Sequence, residues 1–321
     1  MHAVLERLEK IGIVPVIKID DVEKAVPLAR ALAAGGIPCA EVTFRTAQGA
    51  EAIKRITGEV PEVLVGAGTV LTPAQVDQAI DSGAQFIVSP GLNPKTVAYC
   101  IQRGIPVTPG CSSPSDVEQA LELGLDVVKF FPAEQAGGLD YIKAISAPYP
   151  NLKFMPTGGI NAGNITRYIA FEKILACGGS WMVGADLINA GDFDRITALS
   201  REAVLNMLGF TLAHVGIAAK GGDEALKAAN LLGAMFGFPI RDGNSSVFAG
   251  EGIEVLKTAA PGANGHIAIG TNSVLRAVAY LERNGVGFDH TNAKRDAKGN
   301  MFAVYMKEEI LGFGVHLLQK K

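Results

Sequence analysis

From residue 12 to about residue 205 the chain alternates short β-branched runs with amphipathic stretches, eight times over. The runs are IVPVIKI (13–19), CAEVTF (39–44), EVLVGAG (62–68), AQFIVSP (84–90), IPVTPG (105–110), LDVVKFF (125–131), LKFMPTG (152–158) and ILACGGS (174–180). Between them lie helical patterns such as PAQVDQAIDSG, PKTVAYCIQRG and PSDVEQALELG, with Pro in the first turn and Gly just past the end, where each is favoured. Eight strand–helix units in series predict an α/β fold, a parallel (β/α)8 TIM barrel closed on itself. The predicted barrel domain spans residues 1–207.

In such barrels the reacting groups sit at the C-terminal ends of the strands. Six of the runs end in polar, Gly or Pro residues: EVTFRT, GAGT, SPG, KFFPA, TGG and GGS. The most demanding residue among them is Lys129, in the apolar run DVVKFFPAE. A buried amine loses its hydration unless it is paired or neutralised. Desolvation disfavours the ammonium form, and the free amine is a nucleophile toward carbonyls, giving a Schiff base as an electron sink. The alternative is a lysine that snorkels to water. Lys18, in VIKID, is a rival, but Asp20 and Asp21 beside it predict a surface ion pair. Glu41 and Arg45 extend one strand face through Thr43. Arg45 can hold a carboxylate through its planar fork, and Glu41 can move protons; the competing arrangement is a Glu41–Arg45 ion pair. Gly158 and Gly159 after the seventh run, with Gly179 and Ser180 at the end of the eighth, fit a phosphate site built from backbone N–H groups.

The motifs EVTFRT, GAGTVL, SPGLNP, KFFPAE, PTGGIN and GGSWMV, in this order, resemble those of the class I pyruvate aldolases acting on 2-keto-3-deoxy-6-phosphogluconate and 4-hydroxy-2-oxoglutarate. The resemblance implies a Schiff base on Lys129 with Glu41 as general acid and base. It implies that Arg45 and Thr69 hold the pyruvate carboxylate and that Pro90 and Phe131 shape the pocket. It places Thr157, Gly158, Gly159 and Ser180 at the distal, phosphate-binding end. It implies a homotrimer with no cofactor for the aldol chemistry, acting on a small keto-acid sugar. GCSSPSD (110–116) departs from the family pattern, where many relatives carry a Thr.

The remaining stretch, 208–321, predicts a smaller α+β domain in which a βαβββ unit occurs twice. The first copy reads LAHVGIAA, GDEALKAANLLGAMFG, FPIRDG, SSVFAG and GIEVLKT; the second reads GHIAIGT, SVLRAVAYLERNG, VGFDH, MFAVYMK and GFGVHLLQ. This order resembles the glyoxalase/vicinal-oxygen-chelate fold. The resemblance implies a divalent metal held from strands 1 and 4 of each copy, which here are His214, Glu254, His266 and His316. Three imidazoles and a carboxylate suit such an ion; a metal-free module used for packing is the alternative.

Net charge is -3 with no run of Lys or Arg, which argues against nucleic acid or an anionic membrane as partner. No stretch is apolar for long enough to span a bilayer, and the start MHAVLERLEK lacks a signal peptide's apolar core. Cys39, Cys100, Cys111 and Cys177 form no CxxC pair and read as free thiols of a cytoplasmic protein. Lys129 with Glu41 favours an enzyme over a non-catalytic sugar-acid binding or regulatory protein. A bifunctional protein, whose second domain acts on a related sugar acid, is the third option.

Overall fold

The computed structural model describes residues 1–258 and 261–320. The chain divides into two compact units, Met1–Met207 and Leu208–Lys321.

In the first unit the parallel strands are β1 (Ile13–Ile17), β2 (Cys39–Thr43), β3 (Leu64–Gly68), β4 (Phe86–Val88), β5 (Val107–Thr108), β6 (Val127–Phe130), β7 (Lys153–Pro156) and β8 (Cys177–Gly179). They form a curled parallel sheet in the order β5-β4-β3-β2-β1-β8, and β6 pairs with β7. Parallel bridges Gly110↔Lys129, Phe154↔Ile174 and Thr157↔Gly178 join that pair to its neighbours on both sides. The strands are shorter than the apolar runs predict, because several motif ends, such as Lys18–Ile19 and Pro90, leave the ladder for the following loop. The strands are almost wholly buried, as helices on the outer face demand. Phe86, Phe130 and Phe154 are fully buried; truncating such a ring to Ala costs about 3–5 kcal/mol. The Phe86 ring lies where a side chain on Gly66 would stand.

The helices Pro73–Asp81, Pro94–Gln102 and Pro114–Glu122 each begin with Pro behind a capping side chain, Thr72, Asn93 and Ser113 respectively. The second unit is mostly sheet. Its strands are β9 (Thr211–Ala218), β10 (Ile240–Asp242), β11 (Ser246–Ala249), β12 (Ile253–Leu256), β13 (Gly265–Thr271), β14 (Lys294–Arg295), β15 (Met301–Tyr305) and β16 (Phe313–Gln319). Their spatial order is β10-β11-β12-β9-β13-β16-β15-β14. The helix Gly222–Phe236 buries Ala225 and Ala229 against Val247, Ala249 and Val255. One predicted strand is corrected. VGFDH does not form a strand; Phe288 makes a single bridge to Met306, and the edge strand is Lys294–Arg295 instead. Asp289 accepts backbone hydrogen bonds from Thr291 and Asn292, closing a turn that cuts the run short.

Candidate active site and candidate metal centre

Strands β2 and β6 of the first unit bring Glu41 and Lys129 together. Lys129 Nζ lies 3.5 Å from Glu41 Oε1, with side chains only 7% and 1% exposed. Strand pairing holds both backbones. The Lys129 N–H donates to Pro109 O (2.9 Å), its carbonyl accepts from Cys111 N (2.8 Å), and Glu41 pairs with Val16 and Gly66. The absence of a side chain at Gly68 makes room for the carboxylate, since a Cβ there would lie 2.8 Å from Glu41 Cγ. Glu41 Oε2 is buried without a hydrogen-bond partner. The Lys129 amine also lies 5.4 Å from the centre of the Phe131 ring. The pair can hold a proton between an amine and a carboxylate in a site where water does not solvate either fully.

The sequence offered a Glu41–Arg45 pair as an alternative; among the described residues the ion-pair partner of Glu41 is Lys129. Strand β2 stops at Thr43, so Arg45 lies in the turn beyond it and is exposed. Its Nε still donates to Thr43 Oγ1 at 3.1 Å, which turns the guanidinium back toward the strand end. Lys18 is exposed and pairs with Asp20 at 2.8 Å, as a surface lysine should. Thr69, directly after β3, has φ 58, rare for a β-branched residue. Strain of this kind costs about 1–3 kcal/mol and clusters at functional sites.

Pro90, Phe131 and Ser180 are exposed, and Thr157 is buried. Gly158 and Gly159 both have positive φ, 98 and 79. Their carbonyls are tied down. Glu134 N–H donates to Gly158 O at 3.1 Å, and the amides of Asn161 and Asn164 donate to Gly159 O at 3.1 and 2.9 Å. Glu134, which sequence reasoning passed over, takes hydrogen bonds from Arg167 Nη2 and the Tyr168 hydroxyl. Only its place in KFFPAE hinted at a role. The four cysteines are buried and not joined in disulfides; burial pushes the Cys100 thiol up to about 11.

In the second unit, sheet register gathers the other predicted residues. Glu254 pairs with Gly216, which pairs with His266; His214 pairs with Ala268, which pairs with His316. Paired and alternate positions share a face, so all four side chains converge. Gly216 leaves the space that the His266 ring fills. His214 Nε2 lies 3.0 Å from His266 Nε2 and 3.0 Å from Glu254 Oε2, and His266 Nε2 lies 3.1 Å from the same oxygen. The three histidines can each turn a ring nitrogen toward the others within 4.8 Å.

Hydrogens alone serve this triangle poorly, because two imidazole nitrogens that both donate to one oxygen cannot also bond each other. Donors about 2.1 Å from one ion at right angles lie about 3.0 Å apart, so the donor set fits a divalent cation. Ser246 Oγ donates to Glu254 Oε1 at 2.6 Å and turns Oε2 toward the imidazoles. Burial opposes ionisation of Glu254, but hydrogen bonds from His214, His266 and Ser246 outweigh it and hold the carboxyl well below the usual range. Burial, then the neighbouring His266, pushes His316 down to about 4, leaving the neutral imidazole that binds metal. Ser246 and Tyr305, whose ring lies 4.7 Å from His316, were not foreseen; Tyr305 falls opposite His316 in the register.

A curled parallel sheet that buries a lysine–carboxylate pair on its strands defines the class as an α/β enzyme. The family model for KDPG and KHG aldolase matches residues 4–199. A 2-dehydro-3-deoxy-phosphogluconate aldolase of Treponema pallidum is 53% identical over 204 residues, 64% of this chain and 97% of the relative. The KHG/KDPG aldolase of Escherichia coli is 47% identical over 192 residues, 60% of this chain and 90% of the relative. Among solved structures, the Legionella pneumophila KDPG aldolase with pyruvate captured as a covalent carbinolamine is 38% identical, with TM-score 0.60, covering 62% of this chain and 97% of that one. The Zymomonas mobilis enzyme with 3-phosphoglycerate is 42% identical, with TM-score 0.58, covering 62% and 94%. This chain belongs to the KDPG and KHG aldolase family and is a lyase. The unit Leu208–Lys321 lies beyond the matched residues.

Proposed function

We propose that the first unit is a class I aldolase cleaving 2-keto-3-deoxy-6-phosphogluconate, or 4-hydroxy-2-oxoglutarate, to pyruvate and glyceraldehyde 3-phosphate or glyoxylate. The observation that carries this reading is the buried Lys129–Glu41 pair at 3.5 Å. The parallel strands and their bridges read as a closed eight-stranded barrel. Lys129 Nζ attacks the keto carbon, and Glu41 first accepts the amine's surplus proton. It then returns one to the carbinolamine hydroxyl, which leaves as water and gives the iminium. Glu41, again a carboxylate, takes the proton of the substrate's 4-hydroxyl as the C3–C4 bond breaks. The electron pair moves into the iminium, and the aldehyde departs. Glu41 gives that proton to C3 of the enamine, and water then attacks the iminium to release pyruvate and the Lys129 amine with its surplus proton. Arg45 and Thr69 hold the carboxylate, and Pro90 and Phe131 border the pocket. Thr157, Gly158, Gly159 and Ser180 take the distal phosphate. The working form is a cytoplasmic homotrimer, for which light scattering should give a mass of three chains per particle.

A phosphorylated keto-deoxy sugar acid should show a higher kcat/KM than its unphosphorylated counterpart. Ser180→Asp places an anion at the distal end and should penalise the phosphorylated substrate alone, by about tenfold or more. Equal losses on both substrates count against a phosphate site there.

For the second unit we propose two βαβββ modules holding one divalent ion on His214, Glu254, His266 and His316. The convergence of three donor atoms at 3.0–3.1 Å supports this. When bound, the ion would act as a Lewis acid toward an oxygen ligand, making the protein bifunctional. Elemental analysis of protein purified without chelator should find close to one ion per chain, and none in the His214→Ala/His266→Ala double variant. No metal in the wild type after soaking with Zn, Ni, Co or Mn leaves the packing-module alternative.

A further inference from the structure

We propose that Glu134 is a positioning residue for the distal anion site: it fixes the peptide planes of the TGG turn that follows β7. The inference rests on the phosphate reading above and adds a residue that acts through the turn without touching substrate.

Three carbonyls in a row accept hydrogen bonds. Ala133 N–H donates to Thr157 O at 2.8 Å and Glu134 N–H donates to Gly158 O at 3.1 Å. Asn161 and Asn164 hold Gly159 O. In a planar trans peptide the N–H points opposite to the preceding C=O. Fixing the carbonyls of Thr157, Gly158 and Gly159 therefore aims the N–H groups of Gly158, Gly159 and Ile160 the other way. The side chain of Glu134 completes the clamp. Its stem packs on the α-carbon of Gly159, where an added Cβ would lie 2.7 Å from both Glu134 Cβ and Cγ. Its carboxylate then reaches the helix Ile165–Ile169 that follows the turn. There Arg167 Nη2 donates to both oxygens at 2.9 Å, and the buried Tyr168 hydroxyl donates to Oε1. Glu134 thus grips the turn by its backbone, by its methylenes and through the element behind it. The Tyr168 hydroxyl, opposed by burial and joined by Arg167, holds the carboxyl below the usual carboxylate range, so the clamp is charged at neutral pH.

The positive φ of Gly158 and Gly159 explains the need for a clamp. Two glycines together have wide conformational freedom, and backbone donors serve an anion only when already oriented.

The test measures kcat and KM for the phosphorylated keto-deoxy sugar acid and its unphosphorylated counterpart, with inhibition by inorganic phosphate as a direct probe. Glu134→Ala should raise KM for the phosphorylated substrate, and the phosphate inhibition constant, by about tenfold. The kcat, and both constants for the unphosphorylated compound, should stay within about twofold. Glu134→Gln keeps the stem and one acceptor oxygen and should restore most of the loss. If Glu134→Ala fails to fold, Tyr168→Phe carries the test: it removes one donor, preserves the ring, and should raise the same two constants about threefold. Equal losses of kcat/KM on both substrates in Glu134→Ala, or an unchanged phosphate constant in both Glu134→Ala and Tyr168→Phe, overturn the inference. A wild type with no preference for the phosphorylated compound contradicts the phosphate reading and this inference together.

Discussion

Glu41 and Lys129 come from strands β2 and β6, and neither could be buried alone without a large desolvation penalty. At 3.5 Å each answers the other's charge, and the Glu41 oxygen left without a partner is available for proton transfer. The space for this arrangement depends on Gly68. A Cβ there would lie 2.8 Å from Glu41 Cγ and 2.9 Å from its Cδ, and β3 backbone cannot retreat without breaking its pairing with β2. Gly68→Ala should therefore displace the carboxylate and lower kcat by about a hundredfold, since misplacement by about 1 Å costs that much. The accompanying loss of stability should be about 1–3 kcal/mol. Steady-state kinetics with a thermal melt check both, and an unchanged kcat would show that Glu41 is not held by this contact. Lys129 and Glu41 were legible because charged residues inside apolar strands demand a reason. Their roles in one site were implied by the resemblance, but the direct contact between them was not, because it depends on how the strands come together. Arg45 shows the limit of counting by twos: the strand ends two residues before it, and a hydrogen bond to Thr43 Oγ1 brings it back.

At the scale of elements, the residues of GCSSPSD start a helix. Ser113 Oγ accepts from Asp116 N–H (3.2 Å), and Asp116 Oδ2 accepts from the N–H groups of Ser112 and Ser113 (3.0 and 2.9 Å). Ser113→Ala and Asp116→Ala should each cost about 1 kcal/mol, and the double variant less than the sum, because the two side chains form one box. Burial opposes ionisation of Asp116, yet these hydrogen bonds hold its carboxyl below the usual carboxylate range. A depressed folded pKa stabilises above the unfolded value and ceases to do so as pH falls through the folded one. The melting difference between wild type and Asp116→Ala should therefore persist at pH 5–8 and shrink only below about pH 4. A difference that vanishes already at pH 6 contradicts this. Helix starts were legible element by element from Pro73, Pro94 and Pro114, and the structure adds the caps Thr72, Asn93 and Ser113. The edge strand Lys294–Arg295 was not, since two exposed charged residues carry no strand pattern. It exists because β15 offers an open edge.

For the whole molecule, two compact units predict two separable behaviours. The proposed Schiff-base chemistry needs no metal, whereas an ion on His214, Glu254, His266 and His316 would stabilise only the unit that binds it. EDTA should leave aldol cleavage unchanged and lower one of two calorimetric transitions, and added metal should restore it. Loss of aldolase activity with EDTA, reversed by metal, would contradict the assignment of separate roles. Among the described residues, no helix is long and apolar enough to cross a membrane. The order of motifs over the first unit made its architecture readable; in the second unit the resemblance named His214, Glu254, His266 and His316, while the way they meet came from the register, in which Gly216 matters as much as any ligand.

The central claim is that Lys129 carries the covalent chemistry, and borohydride trapping tests it most directly. Protein incubated with pyruvate and borohydride should gain one reduced pyruvate adduct per chain, mapped by mass spectrometry to Lys129. Lys129→Ala should give no adduct and lose aldol cleavage by several decades, with its fold intact by circular dichroism, because no other group supplies the electron sink. An adduct on Lys18 with Lys129 unmodified, or full trapping in Lys129→Ala, would contradict the account.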